Sequence, residues 1–209
     1  MTATASPPLP PARRTQAERS ETMRRRLLEA AASVLREKGL SGFRTADVCT
    51  AAGVSKGALL HHFATKDELI VAVFEQLYGD ISSRSHRPSN AKTLAAAINE
   101  LIADSHAFFF SESFQVSLDI TVAAARHPQL REQIFDVVRR SRKDAEAMWI
   151  DRLKAFGISS EAALDAVWII NSTIRGFAVR ALWEPDQSRF ARVEKVAAKL
   201  VLIHLTSPD

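Results

Sequence analysis

Residues 44–63, RTADVCTAAGVSKGALLHHF, decide the fold of this 209-residue chain. The pattern predicts two short helices joined by a tight turn at residues 53–55, after a longer amphipathic helix. We expect Thr45 to accept hydrogen bonds at the start of the first short helix, Gly53 to end that helix in the left-handed region, and Ser55 to cap the second. The stretch therefore predicts a helix-turn-helix.

The second helix of this motif, about residues 56–63, has the size and position to enter the major groove of DNA. Lys56 can reach guanine acceptors or phosphate, and Gly57 and Ala58 let the backbone come close to the groove. Free N–H groups at helix starts favour phosphate in the same way. The residues predicted to bind double-stranded DNA are Arg44, Thr45, Ser55, Lys56, Gly57, Ala58, His61 and Lys66.

Charge is distributed unevenly along the chain, although the net formal charge is only +4. Residues 1–66 carry 11 Lys and Arg against 5 Asp and Glu, whereas residues 67–209 carry 17 against 19. The positive charge thus coincides with the predicted motif. A solvated basic face would explain the charge alone, but the coincidence favours a polyanion such as DNA as the partner.

Composition favours an all-α protein. Glycine is scarce, with 7 residues, and no stretch alternates apolar and polar residues long enough to indicate a sheet. The single cysteine, Cys49, cannot form an internal disulfide, which fits a reducing compartment. Without a signal-like start or a membrane-length apolar run, we expect a cytoplasmic protein with no membrane association, and we expect no cofactor.

The chain divides into three predicted parts. Residues 1–16, rich in Pro and Ala, are expected to be disordered, and residues 17–66 to form the helix-turn-helix domain. Residues 67–209 are expected to form a helical bundle, giving about nine helices in all. Thr65 and Glu68 form a capping box at the start of the fourth helix.

The last two long helices are apolar on more than one side, and such helices must be covered on both flanks. A second copy of the same two helices would provide this cover and make a homodimer with two-fold symmetry. Deep burial within a larger monomeric core is the alternative. The residues predicted at the dimer interface are Leu164, Val167, Phe177, Val193, Val196 and Leu200.

Aromatic residues of the predicted bundle converge from four helices and could line an apolar ligand pocket. Simple filling of the core explains each of them individually equally well. The residues concerned are Phe108, Phe109, Phe114, Trp149 and Trp168.

Asn171 and Arg175 lie one turn apart on the eighth helix, within apolar surroundings. A buried guanidinium needs a partner, because removing it from water alone is costly. We expect Asp119 to supply that partner in a structural ion pair. Otherwise, Arg175 would hold an anionic group on a small-molecule ligand.

Residues 21–79 resemble the DNA-binding domain of TetR-family transcriptional regulators. The matching segments are LLEAAASVLREKGLSGFRTADV, AAGVSKGALLHHF and TKDEL, which cover about sixty residues in register, whereas residues 67–209 match only in length and helix count. The resemblance implies a homodimeric repressor that an effector, bound in the second domain, releases from its operator. The family often has a tyrosine that reaches a DNA phosphate where this chain has Leu60, so that contact must be absent.

Other functions are less well supported by the sequence. An architectural DNA binder without an effector would show weak sequence preference. No nucleophile, base and acid occur at a spacing that indicates an enzyme. His61 and His62 point in different directions on a helix, and no nearby Cys or His completes a metal site.

Overall fold

The computed structural model describes residues 15–85 and 89–207, and within them it contains nine helices and no strand. The helices are α1 (Gln16–Gly42), α2 (Thr45–Ala52), α3 (Lys56–His62), α4 (Lys66–Ser85), α5 (Leu94–Phe109), α6 (Glu112–Ala124), α7 (Pro128–Lys154), α8 (Ser160–Arg180) and α9 (Gln187–Thr206). The predicted all-α class and helix-turn-helix are confirmed. Most of the disordered tail predicted for residues 1–16 lies outside the described residues.

Local capping signals explain where the helices begin. Thr15 and Glu18 form a capping box at the start of α1, so the chain is already ordered at the end of the predicted tail. At α4 the Thr65 hydroxyl accepts from the Glu68 N–H, and the Glu68 carboxylate reaches back to the Ala64 N–H. The Ser111 and Ser159 hydroxyls accept from the Phe114 and Ala162 N–H groups at the starts of α6 and α8. α4 runs from Lys66 to Ser85.

One hydrophobic cluster joins the N-terminal helices to part of the bundle. It contains the inner faces of α1 to α4 together with Ile120 of α6 and Ile134 of α7. Phe43 belongs to this cluster and is fully buried. Because this core continues past residue 66 into α6 and α7, the domain division at that residue remains a prediction from sequence.

A second hydrophobic cluster holds α5, α8 and α9 together with the C-terminal half of α7. α6 contributes to both clusters, since Phe114 packs in the second whereas Val116 and Ile120 pack in the first. The short α6 therefore connects the helix-turn-helix region (α1 to α4), which we call the head, to the C-terminal bundle (α5 to α9).

Candidate DNA-binding surface and ligand cavity

The turn between α2 and α3 has the predicted geometry. Gly53 ends α2 at φ +60°, and its N–H donates to the carbonyls of Cys49 and Thr50. The Ser55 hydroxyl accepts from the Ala58 N–H at 3.2 Å and so starts α3 at Lys56. A side chain at Gly53 would be strained by its backbone angle.

The start of α2 differs from the expectation. Arg44, not Thr45, is the N-cap residue, and no side chain caps the helix. Thr45 already has helical geometry, so its hydroxyl is not placed to accept from the first free N–H groups, and the prediction that it caps α2 was wrong. The Arg44 guanidinium donates to the Ser41 and Phe43 carbonyls, at 3.0 and 3.2 Å.

α3 separates an inner face from an exposed face. Leu59 is buried in the N-terminal core, with Phe63 just beyond the helix, whereas Lys56, Gly57 and His61 are exposed and Ala58 is half-buried. Leu60 is also exposed and offers no donor. The leading turn of α3 thus presents one cation and two small residues to solvent, which suits close approach to a groove.

Three cations next to the motif have contacts that the sequence did not indicate. The Lys66 ammonium lies 5.6 Å from the centre of the Phe43 ring, and the Arg24 guanidinium lies 5.1 Å from that of Phe63. Arg26 approaches the turn closely, because a Cβ on Gly53 would stand 2.9 Å from its Nη2. The basic run at residues 24–26 was the available signal for the two arginines.

A cavity of about 200 Å³ lies inside the C-terminal bundle, between α4, α5, α6, α7 and α8. Seven of the eight residues named from sequence line it, namely Phe108, Phe109, Phe114, Trp149, Trp168, Asn171 and Arg175. The three phenylalanine rings contact one another edge-on or tilted, with centroids 4.7 to 5.4 Å apart. These packed rings give the cavity a rigid apolar wall.

Tyr78 of α4 also lines the cavity, although sequence reasoning missed it. Its ring contacts Phe74 and Phe108, with centroids 4.7 and 5.9 Å apart. Burial raises the pKa of its hydroxyl to about 12, while the nearby positive charge of Arg175 acts in the opposite direction. Its aromatic character at a regular α4 position was the only available signal.

Polar side chains occupy one part of the cavity wall. Asn171 is tied to the buried Ser105 at 2.7 Å, and Arg142 pairs with Glu146 at 2.9 Å. The carboxylates of the cavity wall, Asp104 and Glu146, lie 3.9 and 2.9 Å from Arg152 and Arg142. The Arg175 guanidinium lies 5.9 Å from the centre of the Phe109 ring and forms no ion pair within 4 Å with a described acidic residue.

The predicted ion pair between Asp119 and Arg175 is wrong, and Asp119 does not line the cavity. The Asp119 carboxylate instead accepts from the Leu40 N–H of α1 at 2.7 Å. The premise was wrong too, since Arg175 is exposed and needs no buried partner.

α8 and α9 leave an apolar face exposed, which we call the α8/α9 face. Val193, Val196 and Leu200 of the predicted dimer interface belong to it, whereas Leu164 and Phe177 are half-buried. Val167 was wrongly predicted there, because it is 1% exposed and packs within the bundle. We count in it the exposed apolar residues of α8, of α9 and of the segment between them, although Trp168 also lines the cavity. These residues are Trp168, Ile169, Leu182, Trp183, Val193, Val196, Leu200 and Ile203.

Two other features bear on the class of protein. Within the described part of the chain, no group of three or more His, Cys, Asp or Glu side chains is placed to hold a metal ion. None of the helices in residues 15–85 and 89–207 combines the length and apolar character needed to cross a bilayer.

Comparison with known proteins assigns the family. Residues 27–73 match the model of bacterial regulatory proteins of the tetR family. The chain is 48% identical over 184 residues to the HTH-type transcriptional regulator CymR of Pseudomonas putida, covering 88% of this chain and 91% of the relative. The chain belongs to the TetR family. It is therefore a helix-turn-helix transcriptional regulator that binds DNA, as predicted.

Solved structures of transcriptional regulators share the fold of most of this chain. A transcriptional regulator from Rhodococcus sp. Rha1 superposes with a TM-score of 0.70 at 23% identity, covering 89% of this chain and 99% of that one. FadR of Bacillus subtilis, solved in complex with stearoyl-CoA, superposes with a TM-score of 0.60 at 13% identity, covering 88% and 99%. At these identities the likeness concerns the fold alone.

Proposed function

We propose that this TetR-family protein is a dimeric cytoplasmic repressor that leaves its operator when a small apolar anion binds the bundle cavity. Its regulatory role follows from the family, and this role rather than catalysis accounts for the architecture. The operator contacts, the dimer and the effector are the parts of the proposal that need testing.

The DNA-binding part of the proposal depends on the exposed leading turn of α3. Lys56, Gly57 and Ala58 present a cation and little bulk, so the backbone can approach the bases. Arg44 and Thr45 at the start of α2, and Lys66 at the start of α4, would hold phosphates on either side. Ser55 and His61 complete the proposed contact set.

The dimer part of the proposal depends on the α8/α9 face. Eight large apolar residues of this face are exposed in a single copy. Single exposed apolar residues are normal on a protein surface, but a group of this size marks an interaction site. A second copy packed on the same face would cover them with two-fold symmetry. It would also present two α3 helices, which operator recognition by this family of motifs requires at a spacing of about 34 Å or a multiple.

The effector part of the proposal depends on Arg175. An apolar body would pack among the phenylalanine rings, and an anionic group would pair with a guanidinium that no described carboxylate neutralises. Asn171 offers a neutral polar group one turn away. A ligand with an apolar body and an anionic group would match both the aromatic rings and the guanidinium. A purely apolar ligand would place apolar atoms against the guanidinium charge, which is unfavourable.

Release would follow from the position of α4. This helix begins at Lys66, beside α3, and carries Tyr78 into the cavity wall. A ligand that displaces Tyr78 tilts α4 and changes the separation of the two α3 helices. Such a ligand binds the DNA-free form more tightly, which is the thermodynamic condition for release.

Operator binding is tested by titrating the purified protein into labelled fragments of the DNA upstream of its own coding region, with shuffled fragments as competitors. We expect a salt-sensitive, sequence-dependent complex and footprints in successive major grooves. Equal affinity for shuffled DNA would instead indicate an architectural binder, and no affinity for any duplex would refute the proposal.

Effector binding is tested with apolar carboxylates, each paired with its own primary amide. The carboxylates should raise the melting temperature and dissociate the DNA complex more than the amides do. Arg175→Ala should abolish this preference, whereas Arg180→Ala, which removes a cation paired with Glu184 outside the cavity, should keep it. An unchanged preference in Arg175→Ala would refute the role of Arg175.

A further inference from the structure

α1 is broken at Gly39, immediately before the helix-turn-helix. Gly39 has φ +63° and ψ 177°, and one further helical turn follows before Phe43. A helix interrupted in this way cannot offer the Leu40 N–H its usual carbonyl acceptor four residues back. The Asp119 carboxylate of α6 accepts that N–H instead, 79 residues further along the chain.

The fit around this contact is close. A Cβ at Gly39 would stand 3.3 Å from the Asp119 Oδ2, and the positive φ also disfavours a side chain there. The Leu40 side chain is buried and the hydrogen bond itself is partly buried. A carboxylate acceptor makes this bond stronger than a neutral one would. The break in α1 thus lies directly against this position of α6.

The other end of α6 reaches the cavity. Phe114, five residues before Asp119, lines the cavity and packs edge-on against Phe108 and Phe109. Five residues of α-helix span about 7.5 Å, so a shift of Phe114 is carried to Asp119 by a short rigid segment. α6 is therefore in contact with both the ligand cavity and the break in α1.

We propose that Asp119 is a positioning residue that holds the helix-turn-helix in its DNA-binding orientation and passes movements of the cavity wall to it through Leu40. This inference rests on the proposed function. Leu40 lies four residues before Arg44, and Lys38 pairs with Asp47 of α2 at 3.0 Å. A displaced Leu40 therefore moves the start of α2, where we place a phosphate contact.

The test compares Asp119→Ala and Asp119→Asn with Glu112→Ala, which removes an exposed carboxylate from the first turn of the same helix. Amide hydrogen exchange at Leu40 reports whether the Leu40–Asp119 hydrogen bond is formed. Titration with DNA from upstream of the coding region reports whether the helix-turn-helix is held in its binding orientation. In Asp119→Ala we expect exchange at Leu40 to quicken at least about tenfold. DNA affinity should fall about 5- to 10-fold, because fewer molecules hold the binding orientation.

The dependence of affinity on salt separates positioning from direct contact. A carboxylate cannot neutralise a phosphate, so the salt dependence should stay at the wild-type value in every Asp119 variant. Asp119→Asn keeps a neutral acceptor and should lie between wild type and Asp119→Ala in both readouts. If Asp119→Ala does not fold, the test uses Asp119→Asn alone. In that variant, faster exchange of the Leu40 amide should be accompanied by weaker DNA binding.

Transmission through α6 is tested with Phe114→Leu, which alters the cavity end of the helix. It should weaken DNA binding in the wild-type background and have little further effect in Asp119→Ala. Wild-type affinity in Asp119→Ala despite faster Leu40 exchange, or fully additive effects with Phe114→Leu, would overturn the inference. A wild-type protein that binds no DNA would instead refute the proposed function.

Discussion

Ser105 and Asn171 join α5 to α8 at the cavity wall, with 2.7 Å between the serine Oγ and the Asn171 Oδ1. The same hydroxyl lies 2.7 Å from the Leu101 carbonyl. A hydroxyl has one hydrogen, so both contacts are satisfied when the Asn171 amide is turned to donate its N–H to Ser105. The hydrogen bond to Ser105 therefore fixes the position of the Asn171 side chain in the cavity wall.

Ser105→Ala should therefore destabilise the protein. Ser105 is buried, and its loss leaves the Asn171 amide without its partner on α5, at a cost of about 1 kcal/mol or more. For a chain of this size, the melting temperature should fall by roughly 2–4 °C. Ser172→Ala is the control, because Ser172 lines the cavity but is exposed, and it should change stability by less than about 0.5 kcal/mol. Equal effects of the two variants would contradict the role of the pair.

Tyr78 should make stability fall at alkaline pH. Its pKa rises from about 10 in the unfolded chain to about 12 in the folded protein, so between these values the unfolded chain ionises first. The stabilisation is complete below pH 10 and is lost as pH rises towards 12, amounting to about 3 kcal/mol.

Two measurements check this prediction. Tyr78 is the only tyrosine of the chain, so the ultraviolet absorbance of the phenolate reports its ionisation alone. In urea unfolding, Tyr78→Phe should lose less stability than wild type between pH 10 and 12. An ionisation near pH 10 in the folded protein would show that Tyr78 is not buried against the cavity wall.

Gly53 and Gly57 should respond in opposite ways to alanine. Gly53→Ala should cost about 1–2 kcal/mol, because alanine disfavours the left-handed backbone at φ +60°. Gly57 has helical geometry and no atom closer than 3.8 Å to an added Cβ, so Gly57→Ala should stabilise α3 by about 0.5–1 kcal/mol. Urea unfolding of both variants measures these two changes in stability.

Gly57→Ala should nevertheless weaken DNA binding, since its methyl group would separate the α3 backbone from the groove. DNA titration of this variant measures the effect, and tighter DNA binding by Gly57→Ala would place α3 outside the groove.

Substitution in the α8/α9 face should dissociate the proposed dimer. Leu200→Asp would bury an unpaired carboxylate from each copy, at a cost of about 3 kcal/mol or more, so the dissociation constant should rise at least about 100-fold. Val122→Asp is the control, because Val122 on α6 is 58% exposed, similar to Leu200 at 60%, but lies outside the face. Sedimentation velocity should show a monomer for Leu200→Asp and a dimer for Val122→Asp. A monomeric wild-type protein would rule out the dimer.

The sequence predicts the helix-turn-helix region well, because the residues that end and cap its helices act on nearby backbone groups. Gly53, Ser55 and Thr65 act on N–H and carbonyl groups within a few residues, so the turn and the helix starts follow from their neighbours. The aromatic cavity was predictable for a related reason. Large rings spaced along several helices of one bundle converge whenever those helices pack.

Tertiary partners were not predictable in the same way. α8 has apolar residues on more than one flank, and its periodicity does not say which flank a neighbour covers, so Val167 is buried while Ile169 is exposed. The partner of Asp119 depends on the break at Gly39, which sequence indicates only as the end of a helix. Arg44 rather than Thr45 occupies the N-cap position of α2, because the extended backbone ends at Arg44 and the helix begins at Thr45, one residue earlier than a Thr45 cap requires.

The most direct measurement is the salt dependence of DNA affinity for Lys56→Ala and Lys66→Ala. If each lysine pairs with one phosphate, the slope of log affinity against log salt concentration should flatten by about 1 in each variant. Lys143→Ala, at an exposed position on α7, should keep the wild-type slope. Because Lys66 also packs over Phe43, the stability of that variant is measured alongside. An unchanged slope in both Lys56→Ala and Lys66→Ala would contradict DNA binding through this surface.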